Sequence, residues 1–414
     1  MTATLPVGFD FTDPDTNLAG VPHEEFAALR RSCPIFWVEQ PENARAGMSE
    51  ASGSGYWAVT KHADVLAVSK NSKVFSSREN GVIIRNPETA TRESIEMTQV
   101  VIINQDAPEH TQLRSIISRG FTPRAIGALE EGLEIVARRI VADAVATGGG
   151  NFVDQIASQF PLEVIGDMLG IPAEDRRKIF DWTNQMTGAE DADLARADNN
   201  PEAAAAEVLM YSMGLAAERK ANPRDDIVTK LVSADVDGRG LTDDEFGFFV
   251  IALAVAGNET TRNATTHGMK AFFDNPDQWA LWVKERPATM VDEVIRWATP
   301  VTSFQRTALE DIELGGVQIK AGQRVGLFYA SANHDEDVFT NPHVFDITRD
   351  PNPHLAFGGH GAHYCIGANL ARTEIRMIFD ALADLAPTIT STGSERRLRS
   401  GWLNGIKELP VRYA

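Results

Sequence analysis

The sequence predicts a mainly α protein with a smaller β region, and three features predict it. Helical periodicity dominates from Thr111 to about Asn275, with Ala-rich stretches at residues 125–146 and 203–217. One segment between Thr242 and Asn275 carries the start and stop signals of a single very long helix. Strand signals fall in two places, near residues 35–60 and 300–330.

In chain order, residues 22–31 read as a short helix with Pro22 near its start. Residues 35–38 and 56–60 are rich in β-branched and aromatic side chains and read as strands. Residues 148–150 (Gly-Gly-Gly) and 235–240 read as loops between helices. Thr242-Asp243-Asp244-Glu245 is a capping box, and Asp274-Asn275-Pro276 is a stop. The helix between them spans about 32 residues, roughly 48 Å at 1.5 Å per residue. Its first half is apolar almost all round, which predicts burial. Residues 301–304, 311–319 and 323–329 read as strands, 335–352 as turns, and 367–386 as helix.

The 414 residues, 43% hydrophobic and 23% charged, suit a globular chain able to bury a core and a cofactor. No linker or repeat divides them, so one domain is expected over 1–414. A net charge of −19 argues against nucleic acid and anionic membranes as partners. Residues 1–6 lack the pattern of a signal peptide, and the longest apolar run, 246–257, is shorter than the about 20 residues a membrane span needs. Cys33 and Cys365 alone make no disulfide framework, and a cytoplasmic, reducing setting is expected.

Cys365 stands out because Gly358, Gly359 and Gly361 precede it and a helical pattern follows Gly367. Such a loop lets backbone approach a flat ligand, aims amide N–H groups at the sulfur, and sets a helix N-terminus near a thiolate. An inert buried thiol, or a zinc site with His360 and His363, uses the same residues. Within the long helix, the polar run Gly257-Asn258-Glu259-Thr260-Thr261 predicts a local distortion beside which Glu259 and Thr260 relay protons, or else simple packing around a solvated Glu. Glu293 and Arg296, three apart, make a helical ion pair that is weak if exposed. His110, Arg114 and Arg306 are scattered cations, informative only if a buried anion meets them.

The order of these motifs resembles the cytochrome P450 family along essentially the whole chain. His-x-x-x-Arg at 110–114, Ala-Gly-x-Glu-Thr-Thr at 256–261, Glu-x-x-Arg at 293–296 and the Gly-rich Cys loop follow one another as they do there. The resemblance implies a triangular, helix-rich fold with haem b between two helices. It implies Cys365 as the iron's thiolate, with His110, Arg114, Arg306 and His363 on the haem propionates. Glu259 and Thr260 would handle protons for dioxygen activation, and Glu293 and Arg296 would form a structural ion pair. Two positions depart from the family. Phe357 stands eight residues before Cys365 rather than seven, lengthening the loop by one. Val344 precedes Phe345 where the family often has an Arg, leaving Arg349 or His343 as the pair's third partner.

A finer resemblance is to actinobacterial sterol side-chain oxidising members, carried by residues 75–83, 243–262, 295–306, 359–372 and 399–405. It implies terminal-methyl hydroxylation of cholesterol or cholest-4-en-3-one, with a pocket walled by Ile83, Val255, Ala256, Val301, Phe304, Trp402 and Leu403. Electrons would come from a separate ferredoxin and its reductase, docking on Arg119, Arg124, Arg372 and Arg376. Hydroxylation of another lipid or terpenoid is the alternative reading. A non-catalytic haem or sterol carrier is the other, and the Glu259-Thr260 pair argues against it.

Overall fold

Thr242 opens the longest element. Its hydroxyl accepts the Glu245 N–H at 3.1 Å while the Glu245 carboxylate accepts the Thr242 N–H at 3.0 Å. The helix Asp243–Asp274 follows, and Pro276 begins the next helix, Pro276–Glu285. The computed structural model describes residues 5–6, 8–194, 201–224, 226–234 and 240–413. The 235–240 loop therefore lies, apart from Gly240, outside the described residues.

Among the helices that pack against the long one are Gln159–Met168, Ala173–Thr187, Pro201–Ala221, Met290–Ala298 and Ala368–Leu385. The 125–146 segment is two helices, Pro123–Gly127 and Glu130–Ala146. A five-stranded sheet collects β1 (Ile35–Glu39), β2 (Gly55–Val59), β3 (Phe75–Ser76), β4 (Ser303–Ala308) and β5 (Arg324–Phe328) in the order β1-β2-β5-β4-β3. Among the described residues only the β2–β5 pair is parallel, with Trp57 opposite Val325. The fully buried Arg324 ties these layers, donating to the Ile84 and Gly55 carbonyls and to the side chains of Gln305 and Gln40. No described helix is long and apolar enough to cross a membrane.

Three expectations need correction. Gly149–Asn151 is a strand, pairing with Pro410–Arg412, because backbone pairing needs no side chain and a Cβ on Gly149 would sit 2.8 Å from the Val411 carbonyl oxygen. Strand β4 starts at Ser303, so Val301 only makes an isolated bridge to Leu403. The first half of the long helix is not buried all round. Phe248, Ile251, Ala252 and Val255 are half-buried and Ala256 is exposed. Their i, i+3, i+4, i+7, i+8 spacing puts them on one face.

The Glu293–Arg296 pair is buried on the helix Met290–Ala298, with neither side chain exposed. Arg296 donates twice to Glu293 at 2.8 Å, and its remaining terminal nitrogen donates to the carbonyls of Asn333 and Pro342 at 2.9 and 3.0 Å. Glu293 also accepts from Arg349, from the Asp346 N–H and from Asn352, each at 3.0 Å. Arg349, not His343, is the third partner. The network pins the turns of 335–352 that lead into the Cys365 loop.

Candidate active site

The Cys365 loop turns through three consecutive left-handed residues, Gly358, Gly359 and His360, with φ of 92°, 73° and 59°. That turn accommodates the additional residue and brings the Cys365 N–H back to the Phe357 carbonyl at 2.9 Å. Gly361 lies so close to the helix His62–Lys70 that a Cβ there would reach 1.7 Å from the Ser69 carbonyl oxygen. The loop is thus clamped in place. Cys365 is surrounded by protein yet its surface is accessible, so the loop presents the sulfur to an interior space. Burial pushes its thiol up, opposed by the Gly367 N–H and by the charges of Arg114 and Arg372. The helix Ala368–Leu385 begins three residues on, with its positive end toward the sulfur.

Four cationic or titratable groups converge beside this loop. The helix Glu109–Ile117 projects His110 and Arg114 from one face, β4 supplies Arg306, and the loop supplies His363. The rings of His110 and His363 are 4.1 Å apart, and His363 Nε2 lies 3.1 Å from Ser77 Oγ. Arg114 donates to the Tyr364 carbonyl, and Arg306 to the Gln305 carbonyl at 2.6 Å. Among the described residues no carboxylate pairs with any of the four, and His110 Nε2 is buried without a hydrogen-bond partner. Burial, then the Arg114 charge, holds His110 down at about 4. Burial, then Arg306, His110 and Arg114, takes His363 to about 2. The nearest carboxylate, Asp106, acts on His110 and Arg306 only through its field and is hydrogen-bonded to Ser76 and Ser77, so Arg114 and Arg306 have no direct ion-pair partner among the described residues, which fits a ligand bearing carboxylates, as the two propionates of haem do.

On the long helix, Thr260 continues the open stripe. Its hydroxyl donates to the Ala256 carbonyl at 2.6 Å. Glu259 is 1% exposed and ion-paired with Arg262, which also donates to Asn184 at 3.1 Å. The other Glu259 oxygen has no partner among the described residues. Burial raises the Glu259 carboxyl and Arg262 opposes that rise. The helix assignment runs unbroken through 257–261, with the Thr260 hydroxyl bonded back to the preceding turn. Gly257 serves close packing: a Cβ there would lie 2.9 Å from Ile165 Cδ1.

Of the pocket candidates, Phe304 and Trp402 stack with centroids 6.3 Å apart, and the Val301–Leu403 bridge joins their segments. The fully buried Gln305 holds the Ile83 carbonyl at 2.8 Å and the Val82 carbonyl at 2.7 Å through its own N–H, which sets Ile83 beside β4. Leu403 is 1% exposed and backs this wall rather than facing open space. Val255 and Ala256 lie on the stripe of the long helix. Sequence reasoning missed Gln305, Ser77 and Asp106, which takes the Ser76 hydroxyl and the Ser77 N–H. Only the sterol-type blocks marked Ser77 and Gln305, and Asp106 lies outside them.

Other expectations part ways here. His360 stacks on Tyr364 at 5.0 Å and His363 on His110, so His360, His363 and Cys365 do not converge as a metal site. Arg119 and Arg124 are exposed, whereas Arg372 is engaged. It donates to Asp292 at 2.8 Å and lies 4.6 Å over the Phe357 ring. Arg376 is about half-exposed, 3.9 Å from Asp380. Cys33 is half-buried and donates to the Ile35 carbonyl at 3.4 Å.

Comparison with known proteins agrees with this geometry. The cytochrome P450 family model matches residues 288–382. The chain is 58% identical over 409 residues to the steroid C26-monooxygenase of Rhodococcus jostii (strain RHA1), covering 99% of this chain and 85% of that protein. It is 42% identical to a methyl-branched lipid omega-hydroxylase of Mycobacterium tuberculosis (strain ATCC 25618 / H37Rv), over 94% of this chain and 90% of that one. A Mycobacterium marinum cytochrome P450, solved in complex with pseudoionone, superposes with a TM-score of 0.89 at 37% identity, covering 100% of each chain. The clamped Cys365, the arginines beside it that lack a direct carboxylate partner, and this kinship over nearly the whole chain carry one conclusion: the chain belongs to the cytochrome P450 family and is a haem b monooxygenase.

Proposed function

We propose that this enzyme hydroxylates the terminal methyl of a sterol side chain, with cholest-4-en-3-one or cholesterol as substrate. The observation that carries the reading is the 58% identity to a steroid C26-monooxygenase across 99% of the chain. In this reading Cys365 would be the thiolate that holds the iron, and His110, Arg114, Arg306 and His363 would hold the propionates. Haem, when bound, would supply dioxygen activation and C–H oxidation, and the thiolate would tune it by donating electrons. The Gly367 N–H tempers that donation. Thr260 holds a proton at Oγ1, and Glu259 restores it after turning from Arg262. Ile83, Val255, Ala256, Val301, Phe304 and Trp402 hold the side chain and exclude water, and Leu403 supports them. Since a sterol is mostly hydrocarbon, apolar burial at about 25 cal/mol per Å2 supplies most of its affinity.

Electrons come from a ferredoxin and its reductase in the cytoplasm. Docking uses the exposed Arg119 and Arg124 with Arg376, and such patches on an acidic protein steer association. Arg372, held by Asp292, positions the Phe357 side of the loop instead.

Spectral titration with cholestenone, cholesterol and methyl-branched fatty acids, followed by turnover with a ferredoxin pair, tests the reading. A spin-state shift with either sterol and a terminal alcohol as product are expected. Silence with both sterols, alongside turnover of the branched acid, would instead favour the activity named for the 42% identical relative.

A further inference from the structure

Three histidines from distant parts of the chain meet: His23, His334 and His343. One ring nitrogen from each lies within 4.8 Å of the others. The ring centroids of His23 and His334 are 4.2 Å apart, those of His334 and His343 5.3 Å, and those of His23 and His343 5.6 Å. We propose that this triad is a binding site for an imidazole-preferring transition-metal dication such as Zn2+, clamping the first helices to the turns around Arg296.

The donor set is suited to the ion. Three neutral imidazoles and a water complete a tetrahedron, and imidazole is a preferred ligand of zinc and its neighbours. His334 Nδ1 lies 3.1 Å from the Ala330 carbonyl, which fixes the tautomer and leaves Nε2 free as a donor of electrons. His23 Nδ1 is buried and has no hydrogen-bond partner among the described residues. In a purely structural cluster that atom would be a standing cost; on a metal it is satisfied. His343 is exposed, so an ion has a route in and a water has room.

The three backbone segments are held ready. A single Arg296 nitrogen donates to the carbonyls of both Asn333 and Pro342, the residues immediately before His334 and His343. Arg30, on the same helix as His23 (His23–Ser32), donates to the Ser331 carbonyl and hydroxyl, and pairs with Glu336 through two 2.9 Å bonds. Two of the nearby cations carry carboxylates, Glu293 for Arg296 and Glu336 for Arg30, which reduces repulsion of a bound dication; Arg397 also acts on His23 and is bonded to Asn404. Zinc–nitrogen bonds of about 2.0–2.1 Å call for closer nitrogens than 4.8 Å, and the exposed His343 is the side chain free to close that gap.

The test uses tag-free, haem-replete enzyme equilibrated with Zn2+, gel-filtered and analysed for zinc and iron. The expected result is one zinc per chain retained, with a rise in thermal midpoint. His343→Ala and His23→Ala should each lower zinc affinity at least tenfold and abolish that rise, while the carbonyl difference spectrum stays that of the parent. The proposal is overturned if the parent retains no zinc, or if both variants retain as much as the parent, which would put the ion on other side chains.

Discussion

Around Glu293 every charge finds its partner inside the protein, whereas beside His363 neither Arg114 nor Arg306 has a direct carboxylate partner among the described residues. Glu293 accepts from Arg296, Arg349, Asn352 and the Asp346 N–H. Arg114 and Arg306 reach only backbone carbonyls, and His110 keeps a buried bare nitrogen. Both clusters hold the same stretch of chain, one at Asn352 and the other at His363. The difference separates scaffold from site. A closed network is finished when the chain folds, and an open one is finished only by something the chain does not contain.

The sharpest break in that comparison is at the sulfur. Cys365→Ser should abolish the thiolate-type carbonyl spectrum and all monooxygenase activity, while Cys33→Ser leaves both unchanged. An unaltered red-shifted Soret band in the Cys365 variant would refute the ligand assignment.

Next come matched changes in the two clusters. Glu293→Ala leaves two arginines facing each other in a buried site and should cost about 3–5 kcal/mol of stability, read from denaturant unfolding. Arg306→Gln should cost far less stability but speed haem transfer to apomyoglobin at least tenfold. Equal stability losses in the two variants would erase the distinction between them.

A smaller effect is expected on the long helix. Thr260→Ala should retain substrate binding yet release several-fold more peroxide per electron consumed, because the hydroxyl beside Ala256 is gone. Peroxide yield equal to the parent's would reject its role with protons.

The smallest effect concerns a third kind of buried charge. Glu374, on the helix after Cys365, is fully enclosed, and burial alone pushes its carboxyl up to about 8. The unfolded chain releases that proton near 4.5, so between these values the native state holds a proton the unfolded state does not. This contribution to stability is complete below about pH 4.5 and is lost as pH rises through about 8. Glu374→Gln should therefore raise the thermal midpoint more at pH 8.5 than at pH 5. An equal gain at both pH values would show that the carboxyl is not titrating in this way.

What was legible in the sequence was local. The long helix begins and ends where its capping box and Asn275-Pro276 stop dictate, because caps act over three or four residues. The strands near 35 and 56, the turns of 335–352 and the helix after Gly367 were readable for the same reason. His363 and Cys365 share one loop, so their proximity needed no fold at all. The tertiary structure decided what depends on distant segments meeting. The parallel pairing of β2 with β5 joins residues 268 apart (Trp57 and Val325), and no local pattern encodes it. Long-range packing likewise brings Arg306 to His110, seats Phe304 on Trp402, and gives Glu293 Arg349 rather than His343 as partner. It also decided burial. An exposed i, i+3 pair is worth little, and this one became the most enclosed ion pair on the helix because three other segments closed over it. Local sequence sets which conformations are cheap, while long-range packing sets which charges lose water, and the site's chemistry follows from the second.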